Sequence, residues 1–452
     1  MIQVEVRKTG ACSPTPSHQR QGALARVGTS CVVMLCLLTT ALAGCRPGGD
    51  VDVGESKFLI YNLDPETGEY RLTAEKITTL QNVRQVNGEV VEMRGGGELT
   101  EGIEGEPQTR ADWEKALLIV DSESPSIEYS VEDDGTVVPW DFDSAMMLTV
   151  YHHMERSYMY FNGLELGGSL EADLGGKIGD IVGKIPCYYY PKITLGGIPL
   201  PLFVDNAAYA YTLDAFLVPP RYSLDDAVPI YANRGVITHE YGHAVFNRIV
   251  YNDARVPDFL FDDWASDPDA LRALNELGGL DEGISDIWGA LDTKDPNYIA
   301  ASIDEDLIDR DMSKPRFYEA CLFMAVTDGV YPAASTCGGN YGQNVQNPTD
   351  SEGVRFDYAP GGDYDSHHLG AVVGSIFWEM REQQKSTISD EHWARFVAQA
   401  MHDIQNPTVD FRLSMFFNAL HEQLPAESQS GTCDILRNRL TAIRDELQCT
   451  PS

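Results

Sequence analysis

The chain has 452 residues, with 33 Lys and Arg against 69 Asp and Glu, and its formal net charge is −36. A polyanion of this size repels nucleic-acid phosphates and anionic lipid headgroups, so the charge argues against nucleic acid as a partner. The sequence is 43% hydrophobic and 10% aromatic, which is enough apolar material for a large core and argues against global disorder.

The first 45 residues predict an export signal. Their apolar run, Val32–Leu38, is too short for a bilayer, which needs about 20 apolar residues. Leu42-Ala43-Gly44-Cys45 follows, and this ending resembles the bacterial lipobox, in which Cys45 would be lipidated and become the mature N-terminus. The alternative is an ordinary signal peptide with a chance cysteine. We therefore expect an exported lipoprotein of the bacterial cell envelope, for which the lipid anchor at Cys45 makes the membrane a partner.

Export would also permit disulfides. The cysteines after the signal are Cys187, Cys321, Cys337, Cys433 and Cys449. Since five is an odd number, at least one should be free or pair outside the chain. Cys321 and Cys337 flank a loop-rich stretch and can pair. Cys433 and Cys449 flank 434–448, which predicts one helix and would place them about 24 Å apart, whereas a disulfide spans only about 7 Å between Cα atoms. These two can pair only if that helix is broken.

The hydrophobic pattern divides the rest of the chain into a β-rich part and a mostly helical part. Residues 46–140 alternate apolar and polar positions between turn signals, which predicts strands. A helical period follows over Phe142–Phe161, where His152 and His153 are expected at the surface. The apolar and aromatic stretch Val204–Tyr211 predicts a strand. The remaining helices are predicted at 236–250, 280–291, 368–384, 389–404, 410–424 and 434–448.

The strongest chemical signal is the segment His239-Glu240-Tyr241-Gly242-His243 within an apolar helical stretch. Residues four apart share one face of a helix, so both imidazoles can reach one metal ion. Glu240 is turned about 100° from His239 around the helix, close enough to address a metal-bound water. Taken alone, the motif also permits an ordinary buried or surface histidine pair.

Two further segments supply groups that complete such a site. Glu282 and Asp286 stand four apart on a second predicted helix. One carboxylate can therefore complete a His₂Glu zinc site while the other hydrogen-bonds the far nitrogen of a ligand histidine. His367 and His368 stand at the start of a third apolar helix, where a histidine can stabilise the oxyanion of a tetrahedral intermediate.

Together these segments resemble the thermolysin/fungalysin-type zinc metallopeptidases. His-Glu-Tyr-Gly-His, Glu-Gly-Ile-Ser-Asp-Ile-Trp-Gly and His-His-Leu-Gly occur in the order of that family, within residues 200–380. The resemblance implies a zinc ion (Zn2+) held by His239, His243 and Glu282, with Glu240 as the general base and Asp286 as the partner of a ligand histidine.

The resemblance also selects a catalytic histidine. Fungalysin-like sequences place a glycine three residues after that histidine, which favours His367, followed by Gly370, and leaves His368 as the alternative. Thermolysin has a tyrosine nine residues before its ligand glutamate, and here that position is Ala273, so the second oxyanion donor is unassigned. The spacing between the motifs is longer than in thermolysin, and an insertion such as Tyr251–Ala273 is expected near the cleft.

Weaker similarities concern the substrate. The segment 205–209 looks like the family's substrate-binding edge strand, in which Asn206 and Ala207 would hydrogen-bond the peptide backbone; a plain buried strand is the alternative. Arg310 stands in a segment similar to the family's Arg-x-Met-Ser-x-Pro, whose arginine helps to hold the zinc ligand and the substrate carbonyl.

Calcium (Ca2+) is a second cation that the resemblance suggests. An acidic run occupies the region where thermolysin-like enzymes bind it: Asp304, Glu305, Asp306 and Asp309. A solvated acidic face is the alternative. Gly235 stands where a calcium-binding aspartate would be expected, which weakens the implication.

The activity implied is that of a zinc endopeptidase with proteins or peptides as substrates. Zinc would polarise the scissile carbonyl and lower the pKa of a bound water, and Glu240 would accept the water's proton and return it to the leaving amine. Two alternatives stay open. One is an aminopeptidase of the wider gluzincin group, although no Gly-x-Met-Glu-Asn segment precedes the zinc motif. The other is an inactive, zinc-stabilised surface-binding lipoprotein, against which the intact Glu240 argues.

The implied fold is α+β and zincin-like, with a mixed sheet and the zinc helix in an upper lobe and a mostly helical lower lobe. Three parts are expected: a signal with lipobox at 1–45, a β-rich region at 46–140, and the catalytic domain at 141–452. The region 46–140 is either an inhibitory prosegment, whose removal would release the enzyme from its anchor, or a permanent part of the folded enzyme.

Overall fold

The chain combines helices with mixed β-sheets, which is compatible with the predicted α+β class. The protein is represented by a computed structural model, which describes residues 46–47, 51–64, 67–105, 107–166, 168–195, 198–199, 206–219, 228–252, 255–261, 267–303, 310–318, 354–356 and 366–450. From Arg46 onward these residues cluster into one compact unit.

The strands begin at the first described residue and continue past the N-terminal region. They are β1 (Arg46–Pro47), β2 (Lys57–Leu63), β3 (Tyr70–Glu75), β4 (Leu80–Asn82), β5 (Asn87–Gly88), β6 (Val91–Gly95), β7 (Glu98–Glu101), β8 (Leu117–Val120), β9 (Tyr129–Val131), β10 (Thr136–Pro139), β11 (Ile185–Tyr189), β12 (Lys192–Leu195), β13 (Ile198–Pro199), β14 (Ala208–Ala210), β15 (Ala215–Val218), β16 (Arg316–Tyr318) and β17 (Val354–Phe356).

Helices dominate the second half of the chain. The α-helices are α1 (Arg110–Trp113), α2 (Phe142–Gly163), α3 (Gly168–Asp173), α4 (Ile178–Val182), α5 (Arg234–Val250), α6 (Pro268–Thr293), α7 (Ser366–Gln384), α8 (Asp390–Asp403), α9 (Leu413–Gln423) and α10 (Ala426–Arg439). Short 3-10 helices lie at Ile230–Ala232, Asp258–Phe261, Tyr298–Ala301 and Thr441–Glu446. In the part of the chain that is described, no helix is long and apolar enough to cross a bilayer.

The N-terminal region shares its sheets with later parts of the chain. One sheet has the strand order β14-β15-β11-β6-β5-β4. Strand β6 lies in its interior and pairs in parallel with β11, from Val91 opposite Ile185 to Gly95 opposite Tyr189. A second sheet, of order β13-β12-β7-β8, repeats the arrangement, because β7 pairs in parallel with β12. Strands on both sides of the predicted 140/141 boundary therefore belong to the same sheets.

The N-terminal region also contacts the start of helix α5. The Tyr70 hydroxyl on β3 donates to Oδ1 of Asn233 at 2.9 Å and accepts from the backbone N–H of Arg234 at 2.8 Å. Asn233 is the N-cap of α5, and its side-chain oxygen accepts from the N–H groups of Gly235 and Val236. These bonds satisfy donors that the first turn of a helix leaves unpaired. Strand β3 therefore helps to fix where α5 begins.

Helix α2 confirms the predicted helical segment but buries the histidine pair. His152 and His153 are 3% and 0% exposed, so their predicted surface position is wrong. The physical reason is that α2 packs against both strand β2 and helix α5, which leaves it no broad solvent face. Burial lowers the pKa of His152 to about 3, so this imidazole is uncharged at neutral pH.

The prediction of one C-terminal helix over 434–448 is wrong. Helix α10 ends at Arg439, and the 3-10 helix Thr441–Glu446 turns the chain back. This break brings the Cα atoms of Cys433 and Cys449 to 5.6 Å, and the two residues form a disulfide. The two cysteines could pair only if the predicted helix between them was broken, and the end of α10 at Arg439 supplies that break.

The other cysteines after the signal segment behave differently. Cys187 is buried on β11 and free, so the expectation of at least one free cysteine is confirmed. Burial raises the pKa of its thiol to about 12, which makes it a poor nucleophile at neutral pH. Cys321 and Cys337 lie outside the described residues.

Helix α6 carries a buried glutamate whose ionisation opposes folding. Glu276 accepts hydrogen bonds from the backbone N–H of Leu413 and from the Tyr318 hydroxyl, yet burial outweighs them and raises its pKa from 4.5 to about 7. Between these values the folded protein keeps a proton that the unfolded chain has lost. The free energy of unfolding should therefore fall as pH rises through this window, by about 3 kcal/mol in total.

A Glu276→Gln variant should remove that pH dependence, because glutamine stays neutral and its oxygen can still accept from Leu413. Compared with the wild type, the variant should gain about 3 kcal/mol of stability between pH 4.5 and pH 8. Urea unfolding at both pH values measures this, with Glu422→Gln on the exposed face of α9 as a control. If the unfolding free energies of the variant and the wild type change by the same amount between the two pH values, Glu276 is already ionised in the folded protein.

Candidate metal centre

Helix α5 holds both imidazoles of the His-Glu-x-x-His segment on its buried face. His239 and His243 are buried, and their Nε2 atoms lie 3.1 Å apart. Helix α6 approaches this face at Gly242, where a Cβ would lie 2.9 Å from the Trp288 ring and 3.1 Å from Ser285. The glycine between the two histidines therefore lets α6 come close to the metal-binding face.

Glu282 on α6 supplies a third donor beside the two imidazoles. Its Oε2 lies 3.5 Å from Nε2 of His239 and 3.9 Å from Nε2 of His243. Ligands at about 2.0–2.2 Å from a tetrahedral ion lie about 3.3–3.6 Å from one another. The three observed separations of 3.1, 3.5 and 3.9 Å fall around that spacing. These atoms can therefore hold one small metal ion in common.

Glu240 belongs to the same buried group. One ligand atom from each of His239, Glu240 and His243 lies within 4.8 Å of the others, a spacing that could hold a metal ion. The Oε2 atom of Glu240 accepts a hydrogen bond of 2.7 Å from the backbone N–H of Tyr209. One oxygen of Glu240 is thus held by the backbone, whereas Glu282 approaches both Nε2 atoms. The donor set of two imidazoles and the Glu282 carboxylate is the better fit to a metal.

His239 turns its other ring nitrogen toward an aspartate. Oδ1 of Asp286 lies 3.1 Å from Nδ1 of His239 and accepts from the Tyr298 hydroxyl at 2.6 Å. Arg310 donates to Oδ2 of Asp286 at 3.1 Å and to Oε2 of Glu282 at 3.2 Å. Burial raises the pKa of Asp286, but Arg310 and His239 outweigh it and hold that pKa at about 2. Asp286 is therefore an ionised acceptor that can orient His239 with Nε2 toward the other donors.

His243 has a matching arrangement, to which the sequence motifs do not point. Oδ1 of Asp281 lies 2.9 Å from Nδ1 of His243. Ser285 Oγ and the Tyr211 hydroxyl lie 3.1 and 3.2 Å from the same nitrogen. Tyr211 also donates to Oδ2 of Asp281. Both histidines thus engage an aspartate through Nδ1, which leaves both Nε2 atoms for a metal.

Carboxylates determine the electrostatics of this group. Burial lowers the pKa of His243, but Asp281 and Glu282 outweigh it and raise that pKa to about 10. Burial raises the pKa of Glu282, yet His367, His243 and other neighbours hold it well below its usual range. The lowered pKa of Glu282 keeps that carboxylate ionised, and the raised pKa of His243 shows that this position stabilises positive charge, so the group favours a bound cation.

Helices α6 and α7 meet through glycines. A Cβ on Gly283 would lie 2.5 Å from Cβ of Val373, and a Cβ on Gly370 would lie 2.6 Å from Cβ of Glu282. This close crossing sets His367, at the start of α7, beside the site: its Nε2 lies 3.5 Å from Oε1 of Glu282. The His367 side chain is 52% exposed, so its ring stands between solvent and the buried group.

A Gly370→Ala variant should disturb this crossing. The new methyl group would overlap Cβ of Glu282 and the backbone nitrogen of Gly283, so α7 must move away. We expect a loss of about 1–3 kcal/mol of unfolding free energy. If Glu282 shifts by about 1 Å, any activity of the site should fall about 100-fold.

Gly163→Ala is the matched control for Gly370→Ala. Gly163 is also helical, at the end of α2, and a Cβ there meets no atom within 4 Å. Chemical denaturation of both variants provides the comparison. Equal stability of the two would contradict the packing role of Gly370.

The predicted substrate strand lies beside the metal-binding group. Of the predicted strand Val204–Tyr211, the described residues from Asn206 onward include β14, which is the edge strand of its sheet and pairs only with β15 among the described strands. Asn206 is exposed and Ala207 is buried, directly before β14. The Tyr209 N–H that contacts Glu240 belongs to this strand.

Other predicted residues are outside the described part of the chain. They are Cys45, the acidic run Asp304, Glu305, Asp306 and Asp309, and the side chain of His368. Of the expected insertion Tyr251–Ala273, the residues from Pro268 onward belong to helix α6, where Ala273 is buried.

No protein-family model and no curated protein matches this chain.

Proposed function

We propose that this protein is a zinc-dependent endopeptidase of the thermolysin/fungalysin type. The observation that carries the proposal is the convergence of His239 Nε2, His243 Nε2 and Glu282 Oε2, at 3.1, 3.5 and 3.9 Å from one another, beside Glu240. Two imidazoles and a carboxylate are the donors of catalytic zinc sites such as that of thermolysin, in which a fourth position stays open. A purely structural zinc site would not require Glu240.

A bound zinc ion would supply Lewis-acid chemistry, polarising the scissile carbonyl and lowering the pKa of a water to near neutrality. Glu240 accepts the proton of the attacking water and returns it to the leaving amine. Because the Tyr209 N–H holds Oε2 of Glu240, Oε1 is the oxygen available for that proton. The backbone contact thus keeps the base from rotating away between the two proton transfers.

Further groups would orient the substrate and stabilise charge. His367 donates a hydrogen bond from its ring to the developing oxyanion. Arg310 holds the Glu282 carboxylate in place. A peptide can extend the sheet at the edge strand β14, with Asn206 and Ala207 at the point where the added strand would begin.

We also propose the zincin-like arrangement of two lobes around a cleft. The sheet that contains β14 and helix α5 would form the upper lobe, and helices α6 to α10 the lower lobe. The support for this is that α5 carries His239 and His243 while α6 carries Glu282, so the donors come from both sides of such a cleft.

Metal analysis together with an activity assay tests the proposal. The purified protein should contain about one zinc per chain, cleave casein, and lose the activity to a chelator. Cleavage of an N-terminally blocked peptide would distinguish an endopeptidase from a gluzincin aminopeptidase. A zinc-loaded protein that cleaves neither casein nor peptides would instead support the inactive surface-binding lipoprotein.

We propose that the enzyme is exported and anchored by a lipid on Cys45, with proteins or peptides outside the cytoplasm as its substrates. The support is the lipobox-like ending Leu42-Ala43-Gly44-Cys45. A Cys45→Ala variant should move from the membrane fraction to the soluble fraction. Mass spectrometry of the mature N-terminus in both fractions would identify the lipid and the residue that carries it.

A further inference from the structure

The turn after strand β14 carries a tyrosine that the proposed reaction does not use. The Tyr211 hydroxyl donates to Oδ2 of Asp281, and Oδ1 of Asp281 lies 2.9 Å from Nδ1 of His243. The hydroxyl also lies 3.2 Å from that same nitrogen. A continuous chain of hydrogen-bonding groups therefore runs from the turn to the metal-binding face of α5.

The two aspartates beside the ligand histidines differ in their partners, because only Asp286 has an arginine. Asp286 has a cationic partner, since a guanidinium nitrogen of Arg310 lies 2.7 Å from its Oδ1. Among the described residues, Asp281 forms no ion pair with Lys or Arg, and its contacts are His243 at Oδ1 and Tyr211 at Oδ2. A buried carboxylate oxygen needs a hydrogen-bond donor. For Oδ2 of Asp281, Tyr211 is that donor.

Residues before and after Tyr211 in the same hairpin are hydrogen-bonded to helix α5. Before it, the backbone N–H of Tyr209 donates to Glu240. After it, the Asp214 carboxylate accepts from Arg248 on α5 at 2.6 Å. Tyr211 thus projects from a hairpin whose position along α5 is fixed at two other points.

We propose that Tyr211 is a positioning residue for the metal site, which acts by holding Asp281 so that Asp281 holds the ring of His243 with Nε2 toward the metal. The inference rests on the proposed function in one respect, that His243 is a metal ligand. It adds that the hairpin containing β14 orients a metal ligand as well as the general base. Movement of that hairpin would therefore change the orientation of His243 and the geometry of the metal site.

A Tyr211→Phe variant tests the proposal through metal binding. Without the hydroxyl, Oδ2 of Asp281 loses its donor, and the carboxylate should turn away from His243. Zinc affinity, measured by competition with a chromogenic chelator, should fall about 10- to 100-fold. The visible absorption bands of the cobalt-substituted protein should also shift, because they report the geometry of the ligands and not the overall stability.

Tyr209→Phe is the matched control. It removes another hydroxyl from the same hairpin, one that donates to Asp214 and does not contact His243. Its zinc affinity should stay within about twofold of the wild type, since no group bound to a ligand histidine is changed. An equal loss of affinity in both variants would show that the hairpin is only loosened, and would overturn the specific role of Tyr211.

A double-mutant cycle tests whether Tyr211 acts through Asp281. In an Asp281→Asn background the Tyr211→Phe change should have little further effect on zinc affinity, so the two changes should not be additive. Additive losses would contradict the relay. If the wild type binds no zinc, the proposed function itself fails. If the wild type binds zinc and Tyr211→Phe matches it in affinity and cobalt spectrum, only the positioning role fails.

Discussion

Replacing Glu240 by glutamine is expected to lower peptide hydrolysis by about 10³-fold or more while leaving metal binding intact. Glutamine keeps the shape of the side chain and an oxygen that can accept from the Tyr209 N–H, so the backbone contact survives. It cannot accept a proton from water at neutral pH. The change therefore removes the proposed base and leaves the candidate metal-binding atoms of His239 and His243 in place.

Two measurements separate this outcome from a simple loss of structure. Zinc content and the unfolding temperature of Glu240→Gln should match the wild type, while the casein-cleaving rate collapses. A His243→Ala variant is the contrast, because it should lose zinc and activity together. Near-normal turnover in Glu240→Gln would overturn the assignment of the base, and zinc loss in that variant would place Glu240 among the ligands.

Replacing Arg310 by methionine is expected to cost about 3–5 kcal/mol of unfolding free energy in the metal-free protein. Arg310 is buried and donates to both Asp286 and Glu282. Its removal leaves the buried Asp286 carboxylate, and the largely buried Glu282 carboxylate beside it, without the guanidinium, and such charges are costly to keep away from water. Added zinc should restore part of the loss, since a cation beside Glu282 takes over some of the compensation.

Arg272→Met is the matched control for Arg310→Met. Arg272 lies on α6 with its side chain 29% exposed, and it pairs at 3.0 Å with Asp269, whose side chain is 65% exposed. Loss of a pair that is open to solvent at the carboxylate should cost less than about 1 kcal/mol. Denaturant unfolding of both variants, with chelator and then with zinc, measures the difference. Equal, small losses in the two variants would show that the carboxylates beside Arg310 are not compensated by it.

The helix face that carries the two candidate metal ligands could be predicted from sequence because its geometry is local. His239 and His243 are one helical turn apart, so their spacing alone predicts that they share a face. Helix α5 begins only two residues before the predicted 236–250 segment, at its Asn233 cap. The helix period and a capping residue are properties of the immediate sequence, which is why both could be found there.

Helix α6 begins earlier than its local sequence predicts. The sequence predicts 280–291, but the helix runs from Pro268 to Thr293. Its first part contains a pair of glycines, which disfavour a helix in isolation. At Gly279 a Cβ would lie 2.4 Å from Cγ of Leu369, so close packing of α7 explains the glycine. A contact between distant helices, which no local pattern contains, outweighs the propensity.

Asp281, Tyr211 and Tyr298 could not be found by pattern for a related reason. Asp281 is one acid among 69 Asp and Glu, and only its approach to Nδ1 of His243 distinguishes it. Tyr211 and Tyr298 reach the site from segments before α5 and after α6. The groups that orient the ligands come from several parts of the chain, and only the fold brings them together.

The parallel pairing of β6 with β11 also sets an order of events during folding. Val91 cannot pair until Ile185 is available, and the chain between them includes helix α2. Pairing of such distant segments is slow, because the entropy of closing a long loop is lost before the contacts are gained. A chain that emerges N-terminus first therefore exposes β6 until β11 has appeared. Helix α5 emerges later still, so binding of the proposed metal ion is expected to be one of the last steps of folding.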